Sequence, residues 1–161
     1  MGVQVLQRMP SGKPGKAPIC LAIVLALGGC ARQSGDPPAP VGCKEGPAAI
    51  RTALARAPAR VELSGTPLSA CFTRGSNSAD LQQVGAAYVA VASGLSAEAK
   101  EQPDGPGALR LGYLVGAARR GATETQGIHE ELMRRLEQEL IGVDTRTPSY
   151  RRGFEAGRRR G

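Results

Sequence analysis

The spacing of apolar residues along the chain predicts a fold made mainly of α-helices. Residues 79–99 give the clearest case, because apolar side chains recur there every three to four residues and fall on one side of a helix. Shorter patterns of the same kind predict helices at 47–57, 108–120, 124–141 and from 148 onward. Only residues 60–64 alternate weakly between polar and apolar positions, which predicts at most one short strand.

Residues at the predicted helix ends agree with these boundaries. Asn77 or Ser78 is expected to cap the helix at 79–99 through its side-chain oxygen. Thr123-x-x-Gln126 resembles a capping box for the following helix, and Thr147-Pro148 reads as an N-cap followed by proline at the first helical position. Glycines are expected to end two helices, at Gly121 and Gly142.

Glycines inside the predicted helices indicate close packing between two backbones. Gly112 and Gly116 lie four residues apart on one flank of the helix at 108–120, where each costs about 1 kcal/mol in helix propensity. Another backbone is expected to approach there, although such glycines are also tolerated in a glycine-rich sequence. In the helix from 148 onward one face carries Tyr150, Gly153, Phe154, Gly157 and Gly161.

The length of 161 residues suits a single domain. Together with the helical patterns it predicts an all-α fold class, a small helical bundle of three to four helices with a disordered N-terminal tether. We expect the helical domain at 43–145, followed by an arginine-rich C-terminal helix or tail at 146–161. The sequence leaves the oligomeric state open.

The net charge of +7 is concentrated near the end of the chain. Residues 146–161 hold six arginines against Glu155, whereas residues 30–145 are nearly neutral. Because basic side chains bind anionic surfaces, we expect this tail to contact anionic lipid, an envelope polymer or an acidic protein partner. A solvated, frayed terminus is the alternative. The candidate binding residues are Arg151, Arg152, Arg158, Arg159 and Arg160.

The first thirty residues have the pattern of an export signal. Basic residues in 1–16 precede an apolar run from Ala17 to Leu27, which is shorter than the roughly 20 residues of a membrane-spanning helix. The run ends in Leu27-Gly28-Gly29-Cys30, which resembles the lipobox of bacterial lipoproteins. The resemblance implies that residues 1–29 are a signal peptide, that Cys30 carries lipid (palmitate), and that the protein is anchored on the extracytoplasmic side of a membrane. An ordinary secretory signal is the alternative.

The segment after Cys30 is expected to be a flexible tether. Residues 30–42 are rich in proline, glycine and small polar residues, and they could span at most about 40 Å. Two further cysteines, Cys43 and Cys71, would meet an oxidising compartment, so we predict a disulfide bond that contributes roughly 3 kcal/mol. A reactive or metal-binding thiol pair is the alternative, but it lacks a CxxC spacing and nearby histidines.

Three segments of the body resemble lipoproteins of high-GC bacteria. They are Gly65-Thr66-Pro67-Leu68-Ser69-Ala70-Cys71, Gly112-Tyr113-Leu114-Val115-Gly116 and Gly127-Ile128-His129-Glu130-Glu131-Leu132. This resemblance implies no activity.

His129 is the one histidine of the chain, which limits the available chemistry. A histidine-rich metal site is excluded, and Met133 stands where a zinc-protease motif would need a second histidine. We therefore interpret His129 as a packed, hydrogen-bonded core residue, and we expect no catalytic residue, metal or cofactor. Export also argues against nucleic acid as a partner. The sequence favours a non-enzymatic, lipid-anchored envelope protein acting as a binding module, and the alternative is an envelope hydrolase using His129.

Overall fold

Five α-helices account for most of the residues that the computed structural model describes, which are 38–72, 77–123 and 127–161. They are α1 (Pro47–Leu54), α2 (Ser78–Glu101), α3 (Pro106–Ala122), α4 (Ile128–Gln138) and α5 (Pro148–Arg160). Two 3₁₀ helices, Val41–Lys44 and Leu68–Phe72, and an antiparallel pair of short strands, β1 (Glu62–Leu63) and β2 (Thr66–Pro67), complete the described part. The predicted all-α fold class is confirmed.

Local capping rules place two helix starts correctly. The Asn77 side chain accepts a hydrogen bond from the backbone N–H of Asp80 at 2.9 Å, so Asn77 is the N-cap of α2. The Thr147 hydroxyl accepts the N–H of Tyr150 at 3.3 Å, and Pro148 is the first residue of α5. Both satisfy N–H groups that the first helical turn leaves without backbone partners.

The predicted boundary between α3 and α4 is wrong. Thr123 ends α3 instead of capping α4, and its hydroxyl donates to the carbonyl of Arg120 at 2.6 Å. Gly121 lies inside α3, where a side chain would overlap the carbonyl of Ser69. The residue before α4 is Gly127, whose φ of +76° suits glycine. Residues 124–126 lie outside the described residues, so Gln126 cannot be compared.

The C-terminal part of the predicted tether belongs to the folded body. The N–H of Ala39 donates to Asp80 Oδ2 at 2.9 Å, and Ala39 is buried. Gly42 packs against the carbonyl of Leu63 at the end of β1. The folded body therefore includes Ala39, before the predicted boundary at Cys43, and the described residues from 38 onward belong to one compact unit.

The centre of the core contains three aromatic side chains, Phe72, Tyr88 and Tyr113. Phe72 meets Tyr88 edge-to-face with ring centroids 4.5 Å apart, and the Tyr88 hydroxyl donates to the carbonyl of Leu68 at 2.9 Å. The Tyr113 hydroxyl accepts the N–H of Val61 at 3.0 Å. These bonds satisfy the polar ends of buried aromatic residues.

The predicted pairing of Cys43 with Cys71 is confirmed. Their sulfur atoms are 2.00 Å apart in a disulfide bond that joins the first 3₁₀ helix to the second.

No helix of the described part is long and apolar enough to cross a membrane.

Candidate functional site

Helix α5 packs on α3 through backbone contacts at glycines. A side chain at Gly112 would overlap the carbonyl of Tyr150, and one at Gly116 would overlap that of Phe154. In return, Gly153 lies against the carbonyl of Leu109. The predicted close approach at Gly112 and Gly116 is therefore confirmed, and the approaching element is α5.

The five candidate arginines lie on the exposed part of α5. We call Arg151, Arg152, Arg158, Arg159 and Arg160 the arginine face. The chain is helical through Arg160, so this terminus differs from the frayed alternative. Since α5 is held against α3 by its backbone, its arginine side chains extend from a fixed helix.

Most of the arginine face forms no ion pair within the described part of the chain, although the charge of Arg152 also acts on Asp104. Arg159 pairs with Glu155 at 3.4 Å. Among the described residues, no carboxylate forms an ion pair with Arg151, Arg152, Arg158 or Arg160. Five arginines against one glutamate give α5 a net charge of +4, so this helix can attract an external anion.

Two arginines from other elements lie at the C-terminal end of α5. Arg120 Nη1 donates to the carbonyls of Arg158, at 3.5 Å, and Arg159. Burial raises the pKa of Tyr113, while the N–H of Val61 and the charges of three arginines near the hydroxyl partly oppose that rise. Those arginines are Arg160, Arg60 and Arg120. Sequence reasoning missed Arg60 and Arg120, because only tertiary packing brings them to α5.

The N-terminal end of α5 is fixed by a carboxylate. Asp104 Oδ1 accepts the N–H of Ser149 at 2.7 Å, and the Ser149 hydroxyl donates to the Asp104 carbonyl at 2.8 Å. The hydrogen bond from the Ser149 N–H is the main reason why the pKa of the Asp104 carboxyl lies below its ordinary value of 3.8, and the Ser149 side chain and the charge of Arg152 contribute less. Asp104 thus joins the α2–α3 loop to the first turn of α5.

His129 lies in a different part of the molecule, in the first turn of α4, beside a pocket that α2 also lines. It is 7% exposed, as expected for a core position, and it borders a pocket of about 500 Å³. The other lining residues are Leu81, Gln82, Gly85, Ala86, Glu131, Leu132 and Arg135. Among the described residues, that lining contains no hydroxyl or thiol that could act as a nucleophile, and its one carboxylate is that of Glu131.

The acid beside His129 is already bound by arginines. Glu131 pairs with Arg134 at 2.6 Å and with Arg135 at 2.7 Å, and these hydrogen bonds lower the pKa of Glu131. The described residues contain no group of three side chains arranged to hold a metal ion.

The predicted signal peptide at residues 1–29 and the predicted lipidation site Cys30 lie outside the described residues. Comparison with known proteins adds no relative: no family model, no curated protein and no solved structure matches the chain.

Proposed function

We propose that the protein is a non-enzymatic envelope protein, anchored by lipid at Cys30, whose arginine face binds anionic groups on the extracytoplasmic side of the membrane. The observation that carries this proposal is the display of four arginines that form no ion pair among the described residues, on a helix that glycine contacts hold in place. The lipobox resemblance at residues 27–30 supports the anchoring.

The fixed position of α5 favours binding. A disordered basic tail would lose conformational freedom on binding an anion, and that loss would weaken the interaction. Here the helix is already formed, and each arginine near an anionic membrane surface contributes about 1 kcal/mol to the free energy of binding. The predicted anchor would keep the domain close to the same surface and raise the effective concentration of anionic groups.

Anchoring is tested by intact mass and membrane fractionation of the full chain expressed in a bacterial host. We expect a chain that begins at Cys30 with a lipid-sized mass increase, and we expect Cys30→Ala to abolish both the modification and the membrane association. An unmodified chain in the soluble fraction would refute the lipoprotein proposal.

Charge-dependent binding is tested on residues 30–161 prepared without lipid, since the described residues from 38 onward belong to one compact unit. Replacing Arg158, Arg159 and Arg160 with Gln is expected to weaken adsorption to phosphatidylglycerol vesicles and to reduce its sensitivity to salt. A control with the same change in net charge replaces Arg56, Arg134 and Arg135, which are exposed on other elements. Equal adsorption of both variants would show that adsorption depends only on the net charge of the domain and not on the arginine face.

A further inference from the structure

The second 3₁₀ helix joins the beginning of the folded body to the end of α5. Cys71 in this helix is bonded to Cys43, with Cα atoms 5.5 Å apart. Two residues earlier, the Ser69 hydroxyl donates to the carbonyl of Gly161. With about 3.8 Å between consecutive Cα atoms, Cys43 and Gly161 lie within roughly 20 Å of each other. The upstream chain therefore enters the body near the C-terminal end of α5.

Several basic side chains gather at this end. We call Arg60, Arg120, Arg158, Arg159 and Arg160 the basic end; all five residues are exposed. They are brought together by the bonds from Arg120 to the carbonyls of Arg158 and Arg159. Arg60 precedes Val61, whose N–H is bonded to the Tyr113 hydroxyl, and the charges of Arg60 and Arg160 both act on that hydroxyl. Two acids pair with members of this cluster: Glu62 with Arg60 at 2.7 Å and Glu155 with Arg159 at 3.4 Å. Five arginines against two glutamates leave the cluster positive.

An exposed apolar side chain lies on the segment that enters here. Val41 is 80% exposed and comes two residues before Cys43. Among the described residues the other large apolar side chain with such exposure is Ile141, at 72%. Ile141 follows α4, and its neighbour Leu140 borders a cleft with Tyr150 and Arg151 in the first half of α5. The two apolar side chains thus mark different ends of α5.

We propose that the basic end and Val41 form the part of the surface that lies closest to an anionic phospholipid bilayer, with the start of α5 farther from it. This inference rests on the proposed anchoring at Cys30. Nine residues from Cys30 to Ala39 span at most roughly 30 Å, so the anchor holds this end of the body near the lipid. Ala39 is bonded to Asp80 in the first turn of α2, whereas Asp104, just beyond the last turn of α2, is bonded to Ser149 in the first turn of α5. Because α2 has 24 residues and is about 36 Å long, the first turn of α5 lies far from the entry point.

The chemistry of the surface fits a bilayer of this composition. Guanidinium groups bind lipid phosphates with paired hydrogen bonds, and a neighbouring apolar side chain enters the boundary between headgroups and acyl chains. A soluble anion would offer Val41 no apolar environment. The combination of clustered arginines with an exposed valine therefore favours a phospholipid surface.

The absence of tryptophan from the sequence allows a direct test. Val41→Trp and Ile141→Trp each introduce one fluorescent reporter into the full lipid-anchored chain, reconstituted in vesicles of phosphatidylglycerol and phosphatidylcholine with brominated acyl chains. We expect bromine to quench the reporter at position 41 and to leave the reporter at 141 unquenched. Equal quenching of both, or stronger quenching at 141, would overturn the proposal.

Arginine variants of the Val41→Trp protein test the role of the basic end. Replacing Arg60 and Arg160 with Gln is expected to reduce quenching about twofold. Replacing Arg134 and Arg146, which are exposed and lie outside both the arginine face and the basic end, should leave it unchanged. Vesicles of phosphatidylcholine alone should give the same reduction. Equal effects of the two double variants would refute the proposed orientation.

The outcomes separate this inference from the proposed function. If Cys30 carries no lipid, the anchoring fails and this inference fails with it. If the chain is anchored but the reporter at 41 is not quenched, only the orientation is wrong, and the basic end then faces a polymer or protein of the envelope.

Discussion

Two helix–helix contacts in this molecule are built in different ways. Between α3 and α5, glycines allow the backbone of each helix to touch the other. Between α2 and α4, side chains fill the gap: the nearest group to the position of a Cβ at Gly85 is Leu132 Cδ1, 3.1 Å away, and a pocket of about 500 Å³ lies alongside. Backbone contact fixes the position of a helix, whereas contact between side chains leaves room for adjustment. The arginine face is carried by the helix that is fixed.

The largest expected effect comes from adding one methyl group to the α3–α5 contact. In Gly153→Ala the new Cβ would overlap the carbonyl oxygen of Leu109 and stand 3.0 Å from the Tyr113 nitrogen. Neither backbone atom can move unless the helices separate, so we expect a loss of about 3 kcal/mol in the free energy of unfolding. Urea denaturation followed by circular dichroism measures this loss.

Gly94→Ala in α2 is the matched control. Its Cβ would meet only the end of the flexible Arg51 side chain, with Nη1 at 2.8 Å. Alanine also has the higher helix propensity by about 1 kcal/mol, so this variant should be at least as stable as the parent protein. Equal stability of the variants at 94 and 153 would contradict the difference between the two kinds of contact.

A smaller effect is expected from His129→Gln at the α2–α4 contact. The imidazole is almost fully buried beside the pocket, and glutamine has a different shape, so we expect a loss of about 1 kcal/mol in unfolding free energy. Thermal unfolding and an assay on purified envelope polymers distinguish the two interpretations of this residue. A hydrolase would lose activity without losing stability, which would contradict the packing role.

The same Gly→Ala substitution should be nearly neutral at the α2–α4 contact. In Gly85→Ala the nearest group is the Leu132 side chain, which can rotate toward the neighbouring pocket, and alanine favours the helix. We expect a change within about 0.5 kcal/mol, measured by the same urea titration. A loss as large as that at Gly153 would mean that α2 and α4 are held as tightly as α3 and α5.

The smallest effect concerns pH and the first turn of α5. Because the pKa of Asp104 lies below 3.8 in the folded protein, its carboxylate adds stability above that pH. This contribution is lost as the pH falls through the lower pKa of the folded state. The difference in Tm between the parent protein and Asp104→Asn should therefore shrink on acidification below pH 3.8, and a constant difference would contradict this role of Asp104.

Local rules in the sequence predicted the features that depend on neighbouring residues. The cap at Asn77 and the Thr147-Pro148 start of α5 follow from side-chain bonds within one turn, and both are present. The glycine spacing at 112 and 116 predicted a close backbone but not its identity, because any helix with small residues could have satisfied it.

Features that depend on distant residues were missed for a physical reason. Gly121 continues α3 where the carbonyl of Ser69 lies against it, and this contact spans about fifty residues of sequence. Likewise, Thr123 fits a capping-box pattern for α4, but its hydroxyl instead donates to the carbonyl of Arg120 at the end of α3. For the candidate site, the arginine face was readable from α5 alone, whereas Arg60 and Arg120 reach it only through tertiary structure.

The paired glycines also limit which sequences can share this fold. Every residue other than glycine carries a Cβ, so Gly112, Gly116, Gly153 and Gly157 cannot be replaced while α3 and α5 keep their spacing. The resulting pattern is two glycines four apart, an interval of 36 residues (117 to 152), and two more glycines four apart. Loop lengths can alter the interval, but not the need for both pairs. Distant relatives can therefore be sought by this pattern even where overall sequence similarity has been lost.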